Sequence, residues 1–364
     1  MHLNAFLIFI FYNILSKTRA ESCETPNDES AECVSLHSCS VLLDAINKNI
    51  TSLNFIRQSL CGFNGADAMV CCGSLTNFKN RKPTMKKGLL PDRRYCGYQH
   101  SDDFLHKVNS TLITEFPWLA RIAFKRDSDN ETNYTKEYLC LGSIISKRYV
   151  LTSADCANPP GFTPIEAQLG DYHIGNETDC VLETGIVECS EPVRSYKIEK
   201  VIIYPNYNPE RITNNIALFR LNKTLFFDDY IRPICLPFPG TKFAEVGDIL
   251  TTSGWGFINT ALGPAVVKKK VLTEMISNED CKKQYKHQTQ IIVDEKNVCI
   301  IKLKNTTHSS CIGDSGSPVI FSHRLQWHQV GIVSAGIGGC GDTYPDVLTK
   351  VESYLEWIKE NIEP

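Results

Sequence analysis

The strongest chemical signal in the chain is the phrase CIGDSGSP, Cys311 to Pro318. The glycines on either side of Ser315 permit a tight loop that exposes its hydroxyl. The amides of Gly313 and Ser315 could then converge as an oxyanion hole, two N–H donors aimed at the oxygen that becomes negative during acyl transfer. Taken alone, the same residues also make an ordinary Gly-Ser turn. The chemistry they suggest is attack by a hydroxyl, which is a weak nucleophile at neutral pH unless an adjacent base takes its proton. Imidazole is suited to that task, because its pKa lies near the working pH and it can later protonate the leaving group. Histidines occur at 2, 37, 100, 106, 173, 287, 308, 323 and 328, so none lies in the two other chemistry-bearing phrases, LTSADC at Leu151–Cys156 and NNIALFRL at Asn214–Leu221.

The elements that must position these phrases read as strands. From about residue 105 onward, short β-branched and aromatic runs such as WLARIAF, YLCLGSII, RYVLTSA, YKIEKVIIY and QVGIVSAG alternate with turn residues, the pattern of an all-β barrel or sandwich. The last stretch differs: Val351, Tyr354, Leu355, Ile358 and Ile362 recur at helical spacing, which predicts an amphipathic C-terminal helix docked on the barrel.

At 364 residues, 42% hydrophobic and 22% charged, the chain has room for a large core and a second small module. A net charge of -3 argues against nucleic acid as a partner, since neutralising phosphates needs a concentrated Lys/Arg surface. Residues 1–20 read as a secretory signal peptide: a polar start, an apolar core from Phe6 to Leu15, and Ala20 at the cleavage position. The apolar run is short for a bilayer, and no later span is predicted to cross a membrane. Sixteen cysteines in an exported chain predict disulfides. Seven N-x-S/T sequons, at Asn49, Asn109, Asn130, Asn133, Asn176, Asn222 and Asn305, predict a glycosylated extracellular protein.

Six of the cysteines, Cys23, Cys33, Cys39, Cys61, Cys71 and Cys72, crowd a segment with too few large apolar groups to fold unaided. Fifteen pairings are open to them from sequence alone. A zinc site is the competing reading, but paired C-x-x-C knuckles are lacking. Next comes NFKNRKPTMKKGLLPDRR, residues 77–94, with linker composition. Its charge makes it either a docking patch or a solvated, protease-sensitive tether.

Taken in order, FPW at 116, LTSADC at 151, NNIALFRL at 214, RPICLP at 232, SGWG at 253, CIGDSGSP at 311 and VGIVSAG at 330 resemble the trypsin-like, chymotrypsin-fold serine proteases over about the last 260 residues. The six N-terminal cysteines, ending in the adjacent pair Cys71-Cys72, resemble the clip domain of arthropod extracellular proteases. The resemblance implies an all-β fold of two six-stranded Greek-key barrels with a C-terminal helix, preceded by a small disulfide-rich clip domain. It divides the chain into a signal peptide (1–20), a clip domain (23–72), a linker and activation segment (73–104) and a protease-like domain (105–364). It also implies the pairs Cys23–Cys71, Cys33–Cys61, Cys39–Cys72, Cys96–Cys235, Cys140–Cys156, Cys180–Cys189, Cys281–Cys299 and Cys311–Cys340.

Carried over to this chain, the family's nucleophile falls on Ser315, its general base on Asp155 and its orienting acid on Asn215. Two members of the triad are thus replaced. An aspartate, with a reference pKa of about 3.9, mostly lacks the proton that the departing amine needs. Asn215 cannot stabilise a cationic ring, and there is no ring to orient. His308 precedes the disulfide cysteine on the pocket wall and is poorly placed as a substitute base. Loss of such groups from a comparable triad costs about a millionfold in turnover.

Recognition is altered as well. The residue that the family places at the base of the specificity pocket is Ser309, and the substrate shelf reads Ser334-Ala335-Gly336, without its aromatic platform. Asp346 stands where a glycine keeps the pocket open, and either fills that slot or binds a basic side chain. Counting back from Phe116 puts the activation start at Leu105, with no Arg or Lys before it, so pairing of a new amine with Asp314 is not expected. The loop around Asp171 and Asp179 lies where some relatives hold calcium, which needs six to eight oxygen ligands, and no other cofactor is expected. The reading is a secreted, non-catalytic clip-domain protease homologue of the haemolymph, a binding partner or cofactor of proteases and zymogens in an innate-immune cascade such as prophenoloxidase activation and melanisation. The alternatives are an active secreted endopeptidase with an unconventional base and a protein that binds microbial surfaces.

Overall fold

The computed structural model describes the chain except residues 1–21, 28, 49, 52, 65–66, 78–88, 101–110, 131–132, 184–185, 239, 260–262, 288–290, 304–314 and 335–343. The signal segment, the activation start and sequons Asn49, Asn109 and Asn305 lie outside the described residues. Two compact units are separated, Met1–Lys82 and Pro83–Pro364.

The first unit holds strands β1 (Ser22–Glu24), β2 (Ser30–Ser35), β3 (Leu60–Asn64) and β4 (Asp67–Cys72), in the order β1-β2-β4-β3, and helices α1 (Ser40–Asn47) and α2 (Leu53–Ser59). Among the described residues its buried apolar side chains are few: Leu42, Ala45, Phe55, Leu60 and Val70 beside the cysteines. Three disulfides, Cys23–Cys71, Cys33–Cys61 and Cys39–Cys72, supply what that core lacks. Each contributes roughly 2 to 4 kcal/mol by restricting the unfolded chain.

In the second unit, β5 (Leu119–Arg126), β6 (Glu137–Ile144), β7 (Tyr149–Thr152), β8 (Phe162–Leu169), β11 (Arg194–Ile203) and β12 (Ala217–Leu221) close a barrel in the order β11-β12-β7-β6-β5-β8. Three consecutive strands with the fourth returning beside the first form a Greek key. Helix α3 (Ala154–Ala157) follows β7, and a separate hairpin, β9 (Cys180–Glu183) and β10 (Ile186–Cys189), leaves the barrel before β11. The second barrel is β13-β16-β17-β20-β19-β18, built from β13 (Ile249–Gly254), β16 (Lys269–Ile276), β17 (Asn297–Lys302), β18 (Pro318–His323), β19 (Gln326–Val333) and β20 (Asp346–Lys350). A ribbon of β14 (Phe257–Asn259) and β15 (Gly263–Pro264) lies after β13, and α4 (Asn278–Gln284) after β16.

The C-terminal apolar periodicity is realised in two pieces. A 3-10 turn at Val351–Tyr354 leads into α5 (Leu355–Asn361), and Val351, Tyr354, Leu355, Ile358 and Ile362 are all buried in the cluster that fills the first barrel. That cluster also takes Ile320 and Ile332 from the second barrel, so the two barrels share a seam. Across it the Ser143 hydroxyl donates to Oε1 of the fully buried Gln329 at 2.6 Å. Among the described residues no helix is long and apolar enough to cross a membrane.

Candidate functional site

The seam positions Ser315. Its carbonyl accepts the Leu141 amide of β6 at 2.8 Å, and the next amide, Gly316, donates to Val333 of β19 at 2.9 Å, so the serine is held from both barrels. Gly316 has φ +82°, and a Cβ there would lie 2.3 Å from the Leu141 carbonyl oxygen and 2.3 Å from Thr152 Oγ1. Only glycine fits. Ser317, fully buried, donates its hydroxyl to the Ser253 carbonyl at 2.7 Å and ties the same segment to β13.

Asp155 comes from the other side, on α3. The Cys140–Cys156 disulfide fastens this single helical turn to β6. The Asp155 carboxylate accepts its neighbour's amide, Cys156, at 3.0 Å through Oδ1, and the Ser315 hydroxyl at 3.3 Å through Oδ2. Asn215 is fully buried, and its Oδ1 accepts the Asp155 amide at 3.0 Å. Thr349 of β20 supports it from below, donating to the Asn215 carbonyl at 2.9 Å, and the Ser334 hydroxyl lies 3.3 Å from Thr349 Oγ1. The three positions that the sequence singles out, 155, 215 and 315, are therefore brought together.

The electrostatics of the trio are those of one carboxylate flanked by neutral groups. Asn215 brings no charge of its own, and its Oδ1 is spent on the backbone amide of residue 155, not on the carboxylate. Tyr207, which the sequence reading did not single out, also faces the site: burial, and then the charge of Asp155, pushes its phenol up to about 12. Its signal, a tyrosine eight residues before Asn215, is legible only once the fold sets the two against Asp155. Of the other expected site residues, Gly313, Asp314, Ser309, His308, Ala335, Gly336, Cys311 and Cys340 lie outside the described residues. Histidines 173, 323 and 328 sit elsewhere, the first bridging to Val267 and the other two on β18 and β19.

Asp346 starts β20, paired with Ile300, and burial pushes its carboxyl up to about 6 from 3.8. A folded-state pKa above the unfolded one means that the group is fully accommodated below about pH 3.8 and loses stability as pH rises through about 6. Two units correspond to about 3 kcal/mol. Asp346→Asn is expected to raise stability by about 2–3 kcal/mol near pH 7.5 and to leave it unchanged near pH 3.5, measured by urea unfolding. An equal gain at both pH values would show that ionisation is not the cause.

The acidic loop does not fit a calcium ion. Arg121 donates to Asp171 Oδ2 at 2.5 Å in a pair that is almost wholly buried, with the guanidinium over the Tyr138 ring at 4.0 Å. Asp179 accepts the Tyr172 and His173 amides through Oδ2 at 3.2 and 2.9 Å, and the Asn176 side-chain amide through Oδ1 at 3.0 Å. The guanidinium takes Asp171 Oδ2 and N–H donors take both Asp179 oxygens, which leaves Asp171 Oδ1 alone of the four against the six to eight oxygens calcium needs, and among the described residues no cluster of His, Cys, Asp and Glu has metal-binding geometry. Sequons Asn130, Asn133 and Asn176 are exposed, and Asn222 is half-buried.

Comparison with known proteins agrees with this fold. The profile described as Trypsin matches residues 107–358, and that described as Regulatory CLIP domain of proteinases matches residues 23–72. The chain belongs to the trypsin family, as a clip-domain member. It is 34% identical to phenoloxidase-activating factor 3 of Holotrichia diomphalia, with 100% of this chain and 99% of that protein covered. Phenoloxidase-activating factor 1 of the same beetle is 33% identical, with 98% of each covered. Melanization protease 1 of Drosophila melanogaster is 28% identical, covering 93% of this chain and 92% of that protein. A solved structure of the Drosophila Grass clip serine protease of the Toll pathway superposes with a TM-score of 0.60 at 25% identity, covering 93% of this chain and 96% of that one.

Proposed function

We propose that this clip-domain chain is secreted and non-catalytic, and that it acts by binding, as a partner or cofactor of proteases and zymogens in an extracellular innate-immune cascade of the kind that activates prophenoloxidase. The observation that carries the reading is the partner of Ser315: its hydroxyl meets the carboxylate of Asp155 at 3.3 Å, with the amide of Asn215 behind, where the family's reaction needs an imidazole and an acid. A carboxylate can accept the serine proton only weakly and holds none to give the leaving amine. The names of the beetle and fly relatives support the cascade. Seven sequons and sixteen cysteines support an extracellular location.

The test is to incubate purified, activator-cleaved protein with a serine-directed fluorophosphonate and a panel of peptide substrates. Labelling and turnover are expected about a millionfold below those of an intact triad. Rapid modification of Ser315 together with peptide cleavage would overturn the proposal.

A further inference from the structure

The hairpin of β9 and β10 serves neither barrel. Its register sets Leu182 directly opposite Val187, and both side chains stand in solvent, 71% and 63% exposed. Two large aliphatics facing one another across an exposed ribbon form an apolar ridge that folding alone does not require. The ridge is rigid. Cys180–Cys189 closes the hairpin at its base, and the Ser190 amide donates to the Asp179 carbonyl at 2.7 Å just beyond. Asp179, 2% exposed, anchors that base through the three donors described above. On the far side the Tyr230 hydroxyl donates to the Cys189 carbonyl at 2.8 Å. A surface already ordered loses little further freedom when a partner docks.

Its field is of one sign. From Tyr172 to Val193 there is no lysine or arginine, while Glu177, Asp179, Glu183, Glu188 and Glu191 carry negative charge. The cation that follows, Arg194, is paired with Asp228. Tyr230 registers this field: burial first, then Glu188, Asp229, Glu191 and Asp228, pushes its phenol up to about 12.

We propose that the β9–β10 hairpin is a docking ridge for another protein's extended basic segment, whose isolated apolar side chains cover Leu182 and Val187 while its lysines and arginines face the surrounding carboxylates. The occupant is fixed by charge and by shape: an exposed apolar pair among the described side chains of a narrow ribbon suits an extended strand, and an acidic surround attracts cations and repels acidic chains. This surface lies apart from Ser315 and stands whether or not Ser315 turns over.

Residues 77–88 of this chain, NFKNRKPTMKKG, carry five basic residues, no acidic one, and Phe78 and Met85 as apolar side chains, so they provide a probe of the right chemistry. A fluorescein-labelled peptide of this sequence is titrated with the full-length protein and read by anisotropy. Saturable binding is expected, weakened about tenfold or more by salt at about 0.5 M, by L182S/V187S, and by E177Q/E188Q/E191Q. All five positions are exposed or half-buried, and matched melting curves confirm that the variants are folded; Leu182→Ala alone serves if the double variant is not. Absence of saturable binding to the wild type, or binding that neither variant weakens, overturns the proposal. So does binding that emerges only when Lys79, Arg81, Lys82, Lys86 and Lys87 of the full-length protein are changed to glutamine, because the ridge would then be covered by the chain's own linker and not by another protein.

Discussion

Fluorophosphonate labelling of Ser315 is expected to rise about 10,000-fold when Asn215→Asp is added to a protein already carrying Asp155→His. The size follows from the tautomer. With histidine alone at 155, the amide of Asn215 stands where the family has a carboxylate. Its Oδ1 is engaged by the residue 155 amide at 3.0 Å, so the NH2 group is what it offers the ring. A donor against Nδ1 forces the ring proton onto Nε2, the nitrogen that must be bare to accept from Ser315. An aspartate at 215 accepts from Nδ1–H instead and leaves Nε2 free. The scaffold for both is in place: α3 is stapled by Cys140–Cys156, position 215 is buried above Thr349, and Ser315 is held from both barrels. Equal labelling of the double and single variants would mean that the defect lies elsewhere and would remove the argument that positions 155 and 215 silence the serine.

Gly316→Ala is expected to be the most destabilising single change in the site, at about 2–5 kcal/mol. Two independent costs add. The left-handed backbone, φ +82°, penalises any Cβ by about 1–2 kcal/mol. That Cβ must also displace the Leu141 carbonyl and Thr152 Oγ1, both 2.3 Å away and bonded to each other at 2.7 Å. Overpacking of this kind costs about 1–3 kcal/mol, and backbone cannot yield as a side-chain end does. Chemical denaturation measures it; a loss below about 1 kcal/mol would show that the seam is looser than its hydrogen bonds indicate.

Much of the architecture was legible in the residues themselves, because strand alternation, turn residues and cysteine order are local signals. CIGDSGSP announces its own loop, and RYVLTSA its strand. Periodicity also placed the last element: the helical pattern from Val351 to Ile362 is realised with all five apolar residues buried, and only the 3-10 character of its first turn, Val351–Tyr354, has no mark in the spacing.

The site was legible in its residue types and less so in its contacts. The family resemblance implies that Asp155 stands where a histidine is expected, but only the structure brings its carboxylate to the Ser315 hydroxyl, at 3.3 Å. The acidic loop shows the limit most clearly. Asp171 and Asp179 look alike as letters, and what each carboxylate does is decided at a distance. Arg121, fifty residues earlier, folds under Asp171, whereas Asp179 turns back on the amides of its own loop. Long-range pairing of that kind leaves no local mark.

Cys96–Cys235 spans 139 residues and is the last covalent tie on the N-terminal side of the protease-like domain. A single nick therefore has two unlike products. Scission after Cys96, anywhere in residues 101–110, leaves the clip module on the barrels through sulfur, as a two-chain molecule that separates only under reduction. Scission between Cys72 and Cys96 cuts the covalent link altogether, because the clip module's own three bridges all close within residues 23–72. Where a processing enzyme cuts this stretch thus decides whether module and barrels stay covalently joined.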